Sequence, residues 1–290
     1  MKIASLLKTG RPFYSLEFFP PPDASQWPDF FGIVDSLRVL RPAFVSVTYG
    51  AGGGSHDKTL AITRALTAMG LVTMPHLTCL GASEESVRTF LDHLEDAGVE
   101  NVLALRGDPP QDPALRQREG RFCHASDLVR FIRSEFSSFS IGVAAYLTPH
   151  PESASFAQDR LATKIKLEAG ADFAVSQLVF DPREYFEYID QMRALGVDKP
   201  ILPGVLPIQS LESLRRILAL SGCNIPAKLY LAVEEAHRTG GPQAVQEAGI
   251  AYASGQIRRL LDGGAPGIHL YTLNRTDVCL RVAAAAGIPG

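Results

Sequence analysis

One pattern repeats along the chain. A short run of apolar and β-branched residues is followed by a loop, then by a stretch whose apolar residues recur at helical spacing. The short runs predict strands at Phe13–Phe19, Phe44–Tyr49, Val72–Thr78, Asn101–Leu105, Ser140–Tyr146, Phe173–Val179, Ile201–Leu206 and Gly267–Thr272. Eight strands alternating with helices suit a closed parallel barrel better than an open sheet, so the expected class is α/β, a (β/α)8 TIM-type barrel. Helix boundaries are legible too. Ser83 before Glu84 and Glu85 marks an N-terminus, Val87, Phe90, Leu91 and Leu94 form one apolar face, and Gly98 closes the segment. Tyr185, Ile189 and Met192 line a face before Gly196, as do Leu211, Leu214 and Leu218 before Gly222. The stretch from Asn224 to Gly264 holds more helix than one barrel unit needs, which predicts extra helices before the last strand. Nothing breaks the rhythm, so residues 1–290 are expected to form one catalytic domain.

Composition narrows the function classes. The chain is 46% hydrophobic and carries a formal net charge of −3, without the basic surplus that nucleic-acid binding usually shows. No apolar run approaches the roughly 20 residues of a membrane helix, and the first residues lack an apolar leader, so a cytoplasmic chain is expected. The four cysteines, Cys79, Cys123, Cys223 and Cys279, form no Cys-x-x-Cys pair and are expected to be ordinary buried thiols. The first strand has no His-x-His, and no metal site is expected.

In a parallel barrel the chemistry sits where strands run into their following loops. Glu17 lies among aromatic residues on the first strand; an apolar setting would raise its pKa and make it a general acid, with a buried salt bridge as the alternative. The second strand ends at Thr48-Tyr49-Gly50, before a glycine run suited either to close ligand approach or to a mobile loop. His76 ends the third strand, as a hydrogen-bonded structural residue or a ligand. Arg106-Gly107-Asp108 ends the fourth and could grip a polar heterocycle; as an adhesion motif it makes no sense in this setting. Gln177 interrupts the sixth strand, where its amide could read a ring or be satisfied in the core. Arg275 follows the last strand and could clamp a carboxylate.

Several segments together resemble the methylenetetrahydrofolate reductase family, in family order from residue 13 to residue 275. They are Ser15-Leu16-Glu17-Phe18-Phe19-Pro20-Pro21, Val45-Ser46-Val47-Thr48-Tyr49-Gly50, Pro75-His76-Leu77-Thr78-Cys79, Ala104-Leu105-Arg106-Gly107-Asp108, Ala169-Gly170-Ala171-Asp172, Pro203-Gly204 and Tyr271-Thr272-Leu273-Asn274-Arg275. The resemblance implies an FAD-containing barrel that reduces 5,10-methylenetetrahydrofolate to 5-methyltetrahydrofolate. It implies Glu17 as the acid and Asp108 as a catalytic residue touching both flavin and pterin. Thr48, Tyr49, Ala51, His76, Arg106, Gly107, Asp108, Ala125, Tyr146, His150, Asp159 and Lys166 would line the flavin, and Gln177 and Arg275 the folate. Ala171 matches a position where substitution loosens flavin binding through packing. Ala162 and Ile165 depart from the asparagine and arginine of some bacterial members, and Leu211 stands where some members place an aromatic ring over the bound ligand.

The implied partners are a small-molecule folate, a second copy of the chain in a homo-oligomer, and an electron donor: NADH, NADPH or a reduced partner protein. Two other readings compete, a flavin-independent folate methyl-transfer barrel and a non-catalytic barrel subunit of a larger redox complex. Glu17 together with Asp108 argues against the idle subunit.

Overall fold

The computed structural model describes residues 1–48, 56–108, 122–150 and 152–287. Its strands are β1 (Tyr14–Phe18), β2 (Phe44–Val47), β3 (Thr73–Thr78), β4 (Asn101–Leu105), β5 (Ser140–Ala145), β6 (Phe173–Leu178), β7 (Ile201–Val205) and β8 (Ile268–Tyr271). Each matches its predicted run or is shorter by a residue or two at an end. They pair in parallel and in chain order, and β1 closes the barrel against β8.

The helices, in chain order, are α1 (Ile3–Leu7), α2 (Trp27–Leu37), α3 (His56–Ala68), α4 (Glu84–Asp96), α5 (Ala125–Glu135), α6 (Phe156–Glu168), α7 (Pro182–Ala194), α8 (Leu211–Ser221), α9 (Ala227–Asp262) and α10 (Thr276–Ala286). Ser83 caps α4 as expected: its Oγ accepts from the Ser86 N–H at 3.1 Å, and the Ser86 Oγ accepts from the Ser83 N–H in return. The predicted surplus of helix before the last strand is α9, 36 residues long and kinked at Gly241, ahead of Pro242. No described helix is long and apolar enough to cross a membrane.

Strand alternation divides the apolar residues into two layers. Leu16, Phe18, Val45, Val47, Val102 and Ala104 belong to the outer layer, between sheet and helices. Phe44, Met74, Leu103, Phe173, Val175 and Leu202 fill the barrel interior toward the N-terminal ends of the strands. The short α1, which the sequence pattern did not reveal, closes this floor. Ile3 joins the interior cluster, its N–H donates to Asn101 Oδ1 at 2.8 Å, and the Ala4 N–H donates to Ser140 Oγ at 3.0 Å. The packed floor leaves the C-terminal end of the barrel as the open one. One cysteine expectation needs correction: Cys79, Cys223 and Cys279 are buried, but Cys123 is exposed just before α5.

Candidate active site

Alternation along β1 turns Ser15 and Glu17 into the barrel. The register sets Glu17 beside Ser46 on β2 and Tyr271 on β8, and Ser15 beside His269 on β8. Glu17 is 5% exposed. Its Oε2 lies 3.3 Å from His269 Nε2 and 3.3 Å from His76 Nε2, and it accepts from Ser46 Oγ at 3.4 Å. The His76 nitrogen sits off the line of a hydrogen bond, so it acts on the carboxylate by proximity. His269 is pinned on every side. Ser15 Oγ lies 2.8 Å from its Nδ1, Phe44 stacks on the ring at 6.0 Å, and Tyr271 meets it edge-on at 5.3 Å.

This surrounding corrects the expected pKa of Glu17. Burial does push it upward, but the hydrogen bond from His269 and the nearness of His76 outweigh burial and hold it at about 2. The aromatic Phe18 adjacent in sequence points into the outer layer. The neighbours that matter come from other strands.

Above Glu17 opens a cavity of about 410 Å³. Glu17, His76 and Tyr271 lie at its base, Tyr146 and Gln177 on its walls, and Ile217, Leu220 and Ser221 of α8 at its rim. Tyr271 fits because Gly204 has no side chain: a Cβ there would meet the Tyr271 ring at 2.5 Å and the Ser176 carbonyl oxygen at 2.6 Å. The Tyr271 hydroxyl donates to that same carbonyl at 3.0 Å. Leu211 does not face the cavity. It begins α8 and packs with Phe180, Ile208 and Leu214, so the aliphatic rim is set by Ile217 and Leu220 instead.

A second group of polar side chains follows β5. The His150 ring meets Tyr146 edge-on at 5.2 Å, and Lys166 Nζ lies 5.6 Å over the Tyr146 ring. Lys166 donates to the Ala144 carbonyl at 2.5 Å; burial pulls its pKa down to about 8, against the opposing pull of Asp159. Asp159 is buried, with a pKa raised by that burial, and its Oδ2 has no hydrogen-bond partner among the described residues. At the end of β4 the Arg106 guanidinium holds Glu152, with Nη2 to Oε1 at 2.9 Å and a second, shorter contact from Nη1 to Oε2. Gly107 has φ +85°, and its Cα hydrogen side faces Thr78 so closely that a Cβ would lie 2.9 Å from the Thr78 Cβ. The turn carrying Arg106 and Asp108 is therefore fixed against β3.

A sequence model described as methylenetetrahydrofolate reductase matches residues 2–287. The chain belongs to the methylenetetrahydrofolate reductase family. It is 33% identical over 280 residues to the 5,10-methylenetetrahydrofolate reductase of Pectobacterium carotovorum, covering 96% of this chain and 91% of that protein. It is 34% identical to the enzyme of the same name from Escherichia coli, covering 95% and 91%. With the methylenetetrahydrofolate reductase (NADH) 1 of Arabidopsis thaliana it shares 36% identity, covering 94% of this chain and 48% of the relative. The chain thus spans about half the length of the plant relative and about nine-tenths of these bacterial ones. Among solved structures, an uncharacterized protein from Clostridium thermocellum, described as binding two copies of 5-methyl-5,6,7,8-tetrahydrofolic acid, superposes with TM-score 0.72 at 11% identity over 99% of both chains. That likeness is one of fold.

Of the positions that resemble methylenetetrahydrofolate reductase site residues, Glu17, His76, Tyr146 and Gln177 line the cavity above Glu17. Thr48 is buried directly after β2, and Asp108 is exposed two residues from Arg106. Ala125 is the buried first residue of α5, and Arg275 is exposed at the N-cap of α10. Neither lines the cavity. Tyr49 and Ala51 lie outside the described residues. Ala162 and Ile165 are both exposed on α6. Sequence reasoning missed His269, Ser15, Ser46 and Tyr271. The signal was present in the alternation: residues 269 and 271 on β8 share the inward face with residues 15 and 17 on β1.

Proposed function

We propose that this chain reduces 5,10-methylenetetrahydrofolate to 5-methyltetrahydrofolate, with FAD as its flavin and NADH or NADPH as the electron donor. The observation that carries this reading is a buried glutamate at the barrel mouth, coupled to a buried histidine, in a chain of this family. FAD, when bound, supplies the hydride that reaches the one-carbon unit. The residues after β5 fit such a group: Tyr146 and His150 give aromatic surface, Lys166 a cation, and Asp159 a buried carboxylate whose Oδ2 has no partner among the described residues. Thr48, Tyr49, Ala51, His76, Arg106, Gly107, Asp108 and Ala125 complete the proposed flavin set.

Glu17 is the proposed proton donor to the folate nitrogen that leaves the one-carbon bridge. An acid with a pKa near 2 is a poor donor at neutral pH, so the proton must come through its partner. Ser15 Oγ donates to the Ile268 carbonyl at 3.3 Å, which leaves its oxygen free to accept from a protonated His269 Nδ1 at 2.8 Å. In its doubly protonated form His269 donates from Nδ1 to Ser15 and from Nε2 to Glu17 Oε2 at 3.3 Å, and it is this form that can hand a proton to the carboxylate. An ion pair loses ground to its neutral form as water is removed. The proposed transfer passes this proton from Nε2 through Oε2 to the leaving nitrogen of a folate seated over the carboxylate, leaving His269 neutral. Gln177 is the proposed hydrogen-bonding partner of the pterin ring, and Arg275 the proposed cation on the substrate side.

The test is spectroscopic. Purified protein should absorb as a flavoprotein, lose that absorbance anaerobically with NADH or NADPH, and regain it on adding 5,10-methylenetetrahydrofolate. Protein that is colourless and cannot be loaded with FAD would overturn the flavin assignment and favour a flavin-free methyl-transfer barrel.

A further inference from the structure

The Arg106–Glu152 pair plays no part in the proton chemistry, and its two partners are unequally held. Arg106 stands on a fixed turn: its carbonyl accepts from the Leu80 N–H at 2.8 Å and the Cys79 N–H at 3.2 Å, and Gly107 beside it is pressed onto Thr78. Glu152 stands on the connection between β5 and α6, and its side chain is 53% exposed against 27% for Arg106. Its backbone N–H donates to His150 Nδ1 at 3.2 Å, so the residue that grips Arg106 is tied to a ring of the proposed flavin wall. The pair is bidentate, the arrangement that a guanidinium also offers to a phosphate. Exposed ion pairs of this kind contribute little to stability, so it is readily exchanged.

We propose that Glu152 is a resident anion on Arg106, exchanged for an acidic group of the incoming dinucleotide, and that it thereby sets the affinity of this site for phosphorylated over uncharged flavin. The inference rests on the flavin reading above. Arg106 has Asp108 and Glu152 as its acidic neighbours among the described residues, and Glu152 makes the direct contact. Releasing Glu152 frees both the guanidinium fork and the loop that carries His150.

The experiment is a double-mutant cycle on the full chain stripped of flavin, using wild type, Glu152→Gln, Arg106→Met and the double variant. Each is titrated with FAD and with riboflavin by fluorescence quenching, and folding is checked by circular dichroism. Glu152→Gln should bind FAD about three- to tenfold more tightly and leave riboflavin unchanged, and the gain should vanish in the Arg106→Met background. A gain that persists without Arg106 would mean general charge repulsion, and unchanged or weaker FAD binding by Glu152→Gln would mean a structural contact; either overturns the inference. If wild type binds riboflavin and FAD while the cycle is additive, the flavin reading stands and this inference alone fails. If none of the four proteins takes up flavin, the flavin reading itself falls.

Discussion

His269 Nε2 faces Glu17 Oε2 at 3.3 Å, with Ser15 fixing the opposite edge of the imidazole ring at 2.8 Å. Replacing His269 with Gln keeps a polar group but removes the transferable proton. His269→Gln should slow the folate half-reaction by about 10²- to 10⁴-fold, the usual worth of a positioned acid–base group. Flavin affinity and flavin reduction should stay near wild type. Stopped-flow measurement of the two half-reactions checks this, and an equal loss in both would make His269 a packing residue.

The depressed pKa of Glu17 has a consequence for stability. Its folded value of about 2 lies below the ordinary 4.5, so the fold favours the ionised form. That contribution is full above about pH 4.5 and is lost as the pH falls toward 2. Glu17→Gln lacks it at every pH. The stability gap between wild type and Glu17→Gln should therefore narrow steadily on acidification, as read from urea denaturation across that range. A gap independent of pH would show that the carboxylate is not held ionised.

Gly204 tests how the cavity floor is built. A Cβ at this position would overlap the Tyr271 ring and the Ser176 carbonyl. Gly204→Ala should cost about 1–3 kcal/mol of stability through overpacking and displace Tyr271 from the cavity. Thermal denaturation with near-ultraviolet circular dichroism reports both effects.

Ala171 lies just before β6 and is fully buried; its N–H reaches the carbonyl of Lys166 on α6 at 3.4 Å. A larger side chain would overpack this fully buried junction, which the backbone ties to α6, the helix that carries Asp159 and Lys166. Ala171→Val should therefore raise the flavin dissociation constant and speed flavin loss on dilution, with the chemical steps of loaded protein unchanged. Flavin release measured by fluorescence separates the two.

The strands were legible because each is a run of β-branched and apolar residues bounded by turn residues, and eight such runs leave little choice of architecture. The floor helix α1 was not, since five residues are too few to show a period. Glu17 was singled out as a candidate and lines the cavity, yet the raised pKa expected from its sequence neighbours gave way to the other reading, a buried carboxylate paired with residues of neighbouring strands. In a strand those neighbours face the other way, and the partners Ser46, His76 and His269 stand 29, 59 and 252 residues away. His269 looked like an ordinary residue of an apolar strand until the register put it opposite Ser15. Leu211 was legible as part of the packing face it forms with Leu214: the Ser210 cap starts α8 there and turns Leu211 into the core, away from the place over the ligand that the resemblance implied.

The most direct test of the account is anaerobic stopped-flow on Glu17→Gln loaded with FAD, following flavin reduction by NADH or NADPH and reoxidation by 5,10-methylenetetrahydrofolate separately. The expected result is flavin reduction close to wild type with reoxidation by the folate abolished. Equal impairment of both half-reactions, or a folate step that survives, would contradict the assignment of Glu17 as the acid.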